Sequence, residues 1–311
     1  MKFSIYQDSR QGPRKMNQDR VAYAYTRDSL MMVVADGMGG HLHGEVAAQI
    51  ATQFIGEAYQ REATPRLEDP FRFLLNAITN AHHSIIDYAN QRNLLETPRT
   101  TCVACIVQDG LAHWAHVGDS RLYFIREGRV EHVTKDHSRV QILVDTGRIR
   151  EEAVPAHPDR NKIFNCLGQM TVPRVDLSRR VALKHGDVIL ICTDGLWGAL
   201  NSKIICEELL RADMLTAVPK LLDMAEARAG REGDNLSALA MTWADELGDE
   251  APTWISTVTM DENEFKSTVA QFHKTTPPAA PGYLTDDEIE GAIDEIRNAI
   301  RKHSGNDRRG S

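Results

Sequence analysis

Between Thr101 and Val133 the chain reads as short strands joined by turns too tight to hold a crossover helix. The strand segments are Thr101–Val107, Leu111–Val117, Leu122–Ile125 and Val130–Val133. Asp109-Gly110 joins the first two and Glu127-Gly128 the last two, each pair supplying the positive φ that a two-residue or bulged hairpin loop requires. The strands therefore pair antiparallel, and a doubly wound parallel sheet is disfavoured. Two further apolar runs, Leu30–Ala35 and Val188–Cys192, predict strands buried on both faces, and each is followed at once by an Asp-Gly pair or by Thr-Asp-Gly.

Helical spacing at Val46, Ala47, Ile50, Phe54, Ile55 and Ala58, and again at Phe71, Leu74, Leu75, Ile78, Ile85 and Ile86, predicts two consecutive amphipathic helices. Shorter helices are expected over Val140–Thr146, stopping at Gly147, and Leu215–Ala229, stopping at Gly230. Strands in meanders with helices in pairs indicate an α+β layered fold, helices packed outside antiparallel sheets. After Trp243 the chain turns acidic and then proline-rich at Pro277-Pro278 and Pro281, so residues 246–284 read as a linker behind a domain of residues 1–245. Over 285–303, Thr285-Asp286-Asp287-Glu288 forms a capping box, and Ile289, Ala292, Ile293, Ile296 and Ile300 line one face. That amphipathic helix suits docking on its own domain or on a partner.

The 311 residues carry a formal charge of −8, which argues against nucleic acid or an anionic membrane as main partner. No apolar run is long enough to cross a bilayer, and no secretory leader follows Met1-Lys2. Five cysteines, odd in number and mostly inside apolar segments, fit reduced core residues in a cytoplasmic protein.

Five acidic residues share a local pattern at strand ends: Asp19, Asp36, Asp119, Asp194 and Asp234. One Asp beside a Gly is an ordinary turn residue. Five gathered at one sheet edge would repel one another, and divalent cations would relieve the repulsion. Oxygen donors select Mg²⁺, Mn²⁺ or Ca²⁺ over zinc. No competing zinc cluster is apparent, because Cys102 and Cys105 point to opposite faces of their strand and His41 and His43 read as a solvated loop pair. No Gly-x-Ser-x-Gly elbow and no P-loop is present.

These residues resemble the metal-dependent serine/threonine protein phosphatases of type 2C, in particular the bacterial branch, over about residues 3–243. The carriers of the resemblance are Arg14-x-x-Asn17-Gln18-Asp19, Asp36-Gly37-Met38-Gly39-Gly40-His41 with Gly44-Glu45, Thr100-Thr101, Gly118-Asp119-Ser120-Arg121, Thr134-Lys135-Asp136-His137-Ser138, His157-Pro158-x-x-Asn161 with Leu167-Gly168, Thr193-Asp194-Gly195-Leu196, and Asp234-Asn235. The resemblance implies a four-layer αββα sandwich, two antiparallel sheets flanked by helix pairs. It implies hydrolysis of phosphoserine and phosphothreonine by a metal-activated water, with two core Mn²⁺ or Mg²⁺ ions and a third, weaker one. Asp36 would bridge two ions, with the Gly37 carbonyl on the first and Asp194 and Asp234 on the second. Asp19 would act through water, and Asp119, with Asp194, would hold the third ion. Arg14 would grip the substrate phosphate, and Asn235 would support Asp234. Some relatives carry His after the Asp-Gly pair as a proposed general acid. This chain has Met38, leaving a water, His41 or His43 as proton donor. The segment Val140–Leu167 corresponds to a variable flap expected to influence substrate choice. Phosphorylated proteins, with a Hanks-type kinase or its targets among them, are the expected partners. The rival readings are a non-catalytic regulatory module of the same fold, a phosphatase of small metabolites, and a receiver domain, the last opposed by the hairpins.

Overall fold

The computed structural model describes residues 1–38, 43–244 and 254–269. The expected helix over 285–303 lies outside the described residues. In chain order the larger elements are β1 (Lys2–Arg10), β2 (Asp19–Tyr25), β3 (Ser29–Asp36), α1 (Gly44–Glu62), α2 (Pro70–Gln91), β4 (Cys102–Gln108), β5 (Leu111–Val117), β6 (Arg121–Arg126) and β7 (Arg129–Val133). There follow α3 (Arg139–Asp145), β8 (Asp176–Leu177), β9 (Val181–Ala182), β10 (Val188–Cys192), α4 (Asp194–Trp197), α5 (Ser202–Arg211), α6 (Met214–Ala229), β11 (Leu236–Ala244), β12 (Ile255–Ser256) and β13 (Lys266–Ser267).

Two antiparallel sheets result. Among the described residues one has six strands in the order β12-β1-β11-β10-β6-β7, and the other has seven, in the order β13-β2-β3-β4-β5-β8 with β9 also on β5. Asp109 and Gly110 take φ of 54° and 69°, and Glu127 and Gly128 take 48° and 77°, as the hairpin reading requires. The alternation of β3 explains its unbroken apolar run. Leu30, Met32 and Val34 enter the layer between the sheets beside Phe3, Phe124 and Ile191, whereas Met31, Val33 and Ala35 meet α1 and α2. A third apolar layer packs β10 and β11 against α4, α5 and α6. Helices therefore cover both outer faces, giving the expected αββα sandwich. Among the described residues no helix is long and apolar enough to cross a membrane.

The linker expectation for 246–284 fails over 254–269. Here β12 adds to β1 of one sheet, and β13 adds to β2 of the other. Thr257 accepts the Met1 amino group at 2.8 Å, and the Phe265 ring packs 6.1 Å from Tyr59. A strand two residues long has no periodic signal of its own. It forms because the edges of β1 and β2 offer unpaired amides and carbonyls that it satisfies. This strap buries Phe265 against the α1 layer, so Phe265→Ala should cost about 2 kcal/mol, or about 4–8 °C in melting temperature. An unchanged thermal melt would show the strap to be energetically idle.

Candidate metal centre

The site is built where the two sheets end together. Asp19 opens β2, Asp36 closes β3, and the two are direct register partners across the antiparallel pair. Residues so opposed bring their Cβ atoms to about 4.5–5.5 Å on one face, where like charges are destabilising. Asp194 follows Thr193 at the end of β10, and Asp234 lies two residues before β11. Asp119 sits where the chain passes from β5 of one sheet to β6 of the other. The carboxylates thus come from the ends of both sheets, and the expectation of a single sheet edge is corrected: the hairpins legible in sequence do not reveal that β5 and β6 part company.

Hydroxyls tie the two ends together. Thr193 donates from Oγ1 to Asp19 Oδ2 at 2.8 Å, a bond between the sheets. Thr101 Oγ1 accepts the Asp36 amide at 3.0 Å and lies 2.7 Å from Ser120 Oγ, beside Asp119. Thr100 Oγ1 and the Thr101 amide both donate to the Asp36 carbonyl, at 2.8 and 2.9 Å. Gly37 is held by its amide on Gln18 O, and a Cβ there would lie 2.3 Å from Gly44 O. No other residue fits that position.

Asp19 and Asp119 are 2% and 3% exposed. Each keeps one carboxylate oxygen, Oδ1, buried without a partner. Burial, with the Asp234 charge adding and hydroxyl bonds opposing, pushes Asp19 up to about 6, and burial with the charges of Asp234 and Asp19 pushes Asp194 up to about 7. Asp36 is raised well above the carboxylate range by burial and then by Asp19, Asp194, Asp119 and Asp234 in turn. Asp119 is raised likewise, by burial and then by Asp194 and Asp136. Each acid perturbs others of the group, so the five form one electrostatic unit. Orphaned buried oxygens and mutually raised pKa values in an all-oxygen donor set fit hard divalent cations. No three of the five place oxygens mutually within 4.8 Å. Divalent cations held partly through water would suit such a wider frame.

Arg14 lies at the rim, 51% exposed, with Nη2 2.6 Å from Asp234 Oδ2. Asn235 differs from expectation. Its main-chain amide holds Asp234 Oδ1 at 2.8 Å, while its side chain accepts the Gln18 amide and donates to Gln11 O and Met16 O. The side chain therefore shapes the loop that carries Arg14. Met38 uses its amide on Arg99 O. His43 precedes α1 with φ 65° and faces Glu45 at 3.7 Å, and His41 lies outside the described residues.

A profile for protein phosphatase 2C matches residues 7–236. The chain belongs to the protein phosphatase 2C family. It is 31% identical over 229 residues to the serine/threonine phosphatase stp of Listeria monocytogenes, covering 73% of this chain and 90% of that one. The solved S. agalactiae serine/threonine phosphatase superposes with TM-score 0.70 at 27% identity, covering 78% of this chain and 100% of that one. The PstP catalytic domain in complex with two manganese ions superposes at 0.67 with 28% identity, covering 78% and 99%.

Raised carboxylate pKa values have a sign. The fold binds these protons more tightly than the unfolded chain, so their contribution to stability is present below about pH 4 and lost as pH rises through about 6 to 7. In EDTA, Asp194→Asn should therefore melt about 5 °C above the parent near pH 8, with the gain shrinking near pH 5. Saturating Mn²⁺ should reverse the order near pH 8. A variant no more stable than the parent in EDTA at any pH would contradict the repulsion.

Proposed function

We infer that this chain is a metal-dependent serine/threonine protein phosphatase, hydrolysing phosphate monoesters with divalent ions held between the ends of its two sheets. The observation that carries the reading is the direct cross-strand pairing of Asp19 and Asp36 within a unit of five buried or half-buried carboxylates. A regulatory module without metals would bear the cost of that repulsion with no return, which favours catalysis over the non-catalytic alternative.

Asp36, the Gly37 carbonyl, Asp194 and Asp234 would hold the two core ions, Asp36 and Gly37 serving the first and Asp36, Asp194 and Asp234 the second. Asp19 would act through water, and Asp119 with Asp194 would hold a third, weaker ion. Mn²⁺ or Mg²⁺ suits the donors. When bound, such ions neutralise phosphoryl charge and acidify water. The chain's own residues supply orientation. Thr193 fixes the Asp19 carboxylate, Thr100 and Thr101 fix the Asp36 main chain, and Asn235 holds the Arg14 loop. The exposed Arg14–Asp234 pair is worth only about 0–1 kcal/mol, so the guanidinium can leave Asp234 for a phosphate at little cost. Its planar fork then takes two phosphoryl oxygens at once.

The expected substrates are phosphorylated proteins, including a Hanks-type kinase or its targets. A cytoplasmic location is supported by all five cysteines being free and buried. The test is hydrolysis of a phosphothreonine peptide, p-nitrophenyl phosphate and a sugar phosphate, with EDTA and with added Mn²⁺. Peptide turnover should need the ion and exceed that of the sugar phosphate. Asp36→Asn should lower kcat at least about 100-fold. Arg14→Ala should raise the peptide KM about 10-fold, with Arg14→Lys recovering only part. Peptide hydrolysis unaffected by EDTA, or near-parent turnover in Asp36→Asn, would refute the assignment.

A further inference from the structure

The segment Thr134–Ser138 supplies none of the five carboxylates, yet it grips the turn that carries Asp119 from both sides. Thr134 donates its amide to Leu122 O at 3.1 Å and accepts the Leu122 amide on Oγ1 at 3.0 Å. Asp136 takes the Arg121 guanidinium through two 2.8 Å bonds, with the guanidinium lying 3.7 Å over the Trp197 ring, just beyond Asp194. His137, 2% exposed, donates its amide to Gly118 O at 2.9 Å and accepts the Gly118 amide on Nδ1 at 3.1 Å. Asp119 is the next residue, and its Oδ1 is buried without a hydrogen-bond partner, so the backbone turn helps to aim it.

The His137 ring is locked in one tautomer. Asn165 also directs Nδ2 at Nδ1, at 2.7 Å. The amide orientation of Asn165 is fixed, because its Oδ1 accepts the Arg174 amide at 3.0 Å and its Nδ2 donates to Arg174 O at 2.7 Å. Two donors aimed at Nδ1 leave the ring proton on Nε2, which lies 3.3 Å from Asp176 Oδ2. Asp176 is in turn held by Arg174 through two 2.7 Å bonds. His116, His137 and Asp176 bring ligand atoms within 4.8 Å of one another. They do not suit a cation, because His137 Nε2 bears a proton and His116 spends its Nε2–H on Lys135 O at 2.8 Å. The hydrogen bonds run instead from Arg174 through Asn165 to His137 Nδ1 and Gly118, from the base of the flap to the Asp119 turn.

We propose that His137 is a positioning residue that sets the Asp119 turn and joins it to residues 139–176, so that the third ion's occupancy follows the state of the flap base. The same residue holds the flap from its other side, since His137 O accepts the Phe164 amide at 3.0 Å. The inference rests on the assignment of Asp119 to an ion, which Asp119→Asn tests separately.

The experiment is the Mn²⁺ dependence of phosphothreonine-peptide turnover, with thermal melts alongside. His137→Ala should raise the half-saturating Mn²⁺ concentration about 10-fold while kcat at saturating Mn²⁺ changes little. His137→Asn places Oδ1 near the Nδ1 position and should return to within about 3-fold of the parent, whereas His137→Gln, reaching instead toward Asp176, should not. All three lose packing and should melt lower, so a purely structural role predicts no difference between Asn and Gln. Equal Mn²⁺ dependence in parent and His137→Ala, or equal defects in Asn and Gln, would overturn the proposal. Should His137→Ala fail to fold, Asn165→Ala leaves the imidazole in place and should shift the Mn²⁺ requirement several-fold in the same direction; no shift overturns the proposal. If Asp119→Asn itself leaves Mn²⁺ dependence unchanged, the ion assignment falls and the inference with it.

Discussion

Repulsion between carboxylates is the interaction on which the rest of this structure turns. Asp19 and Asp36 stand opposite each other on paired strands, a position where natural sheets avoid like charge. Asp194, Asp234 and Asp119 add further negative charge from the second sheet and from the crossover. Divalent cations would offset that cost, and the surrounding architecture keeps the arrangement from relaxing. Three apolar layers fix the strands, and the Thr193–Asp19 bond ties one sheet end to the other. The acids cannot spread apart without unpicking the sandwich.

That coupling between fold and site runs through small polar residues. Thr100, Thr101 and Ser120 hold the Asp36 main chain and the Asp119 turn in one hydrogen-bonded set. Asn235 joins the Asp234 turn to the Arg14 loop through four bonds, three of them from its side chain. Buried amides and hydroxyls of this kind are directional, so they fix orientation where apolar packing fixes only distance. Membership in the protein phosphatase 2C family accords with this division: the layers make the frame and the polar residues at its end set the chemistry.

Much of this was legible in the sequence, for identifiable reasons. Asp109-Gly110 and Glu127-Gly128 announce hairpins because few other residues accept their φ. The unbroken run Leu30–Ala35 announces a strand covered on both faces, as the layers require. Other elements were silent. The strand β1 mixes charged and apolar residues, and depends on β11 and β12 for its place. The alanine-rich Leu236–Ala244 suits helix or strand equally until its neighbours decide. The five acids were recognisable one by one, but their origin in two sheets was not, because the parting of β5 and β6 is a tertiary fact. Likewise, nothing local marks Asn165 as a partner of His137, or residues 254–269 as a strap.

The most direct test of the account is anomalous diffraction at the manganese absorption edge from crystals grown with Mn²⁺. The account predicts two strong peaks between the ends of the sheets, one shared by Asp36 with the Gly37 carbonyl and one reached by Asp194 and Asp234, with a weaker third near Asp119. Peaks elsewhere, or full occupancy of the centre by water while the five carboxylates keep their positions, would contradict it.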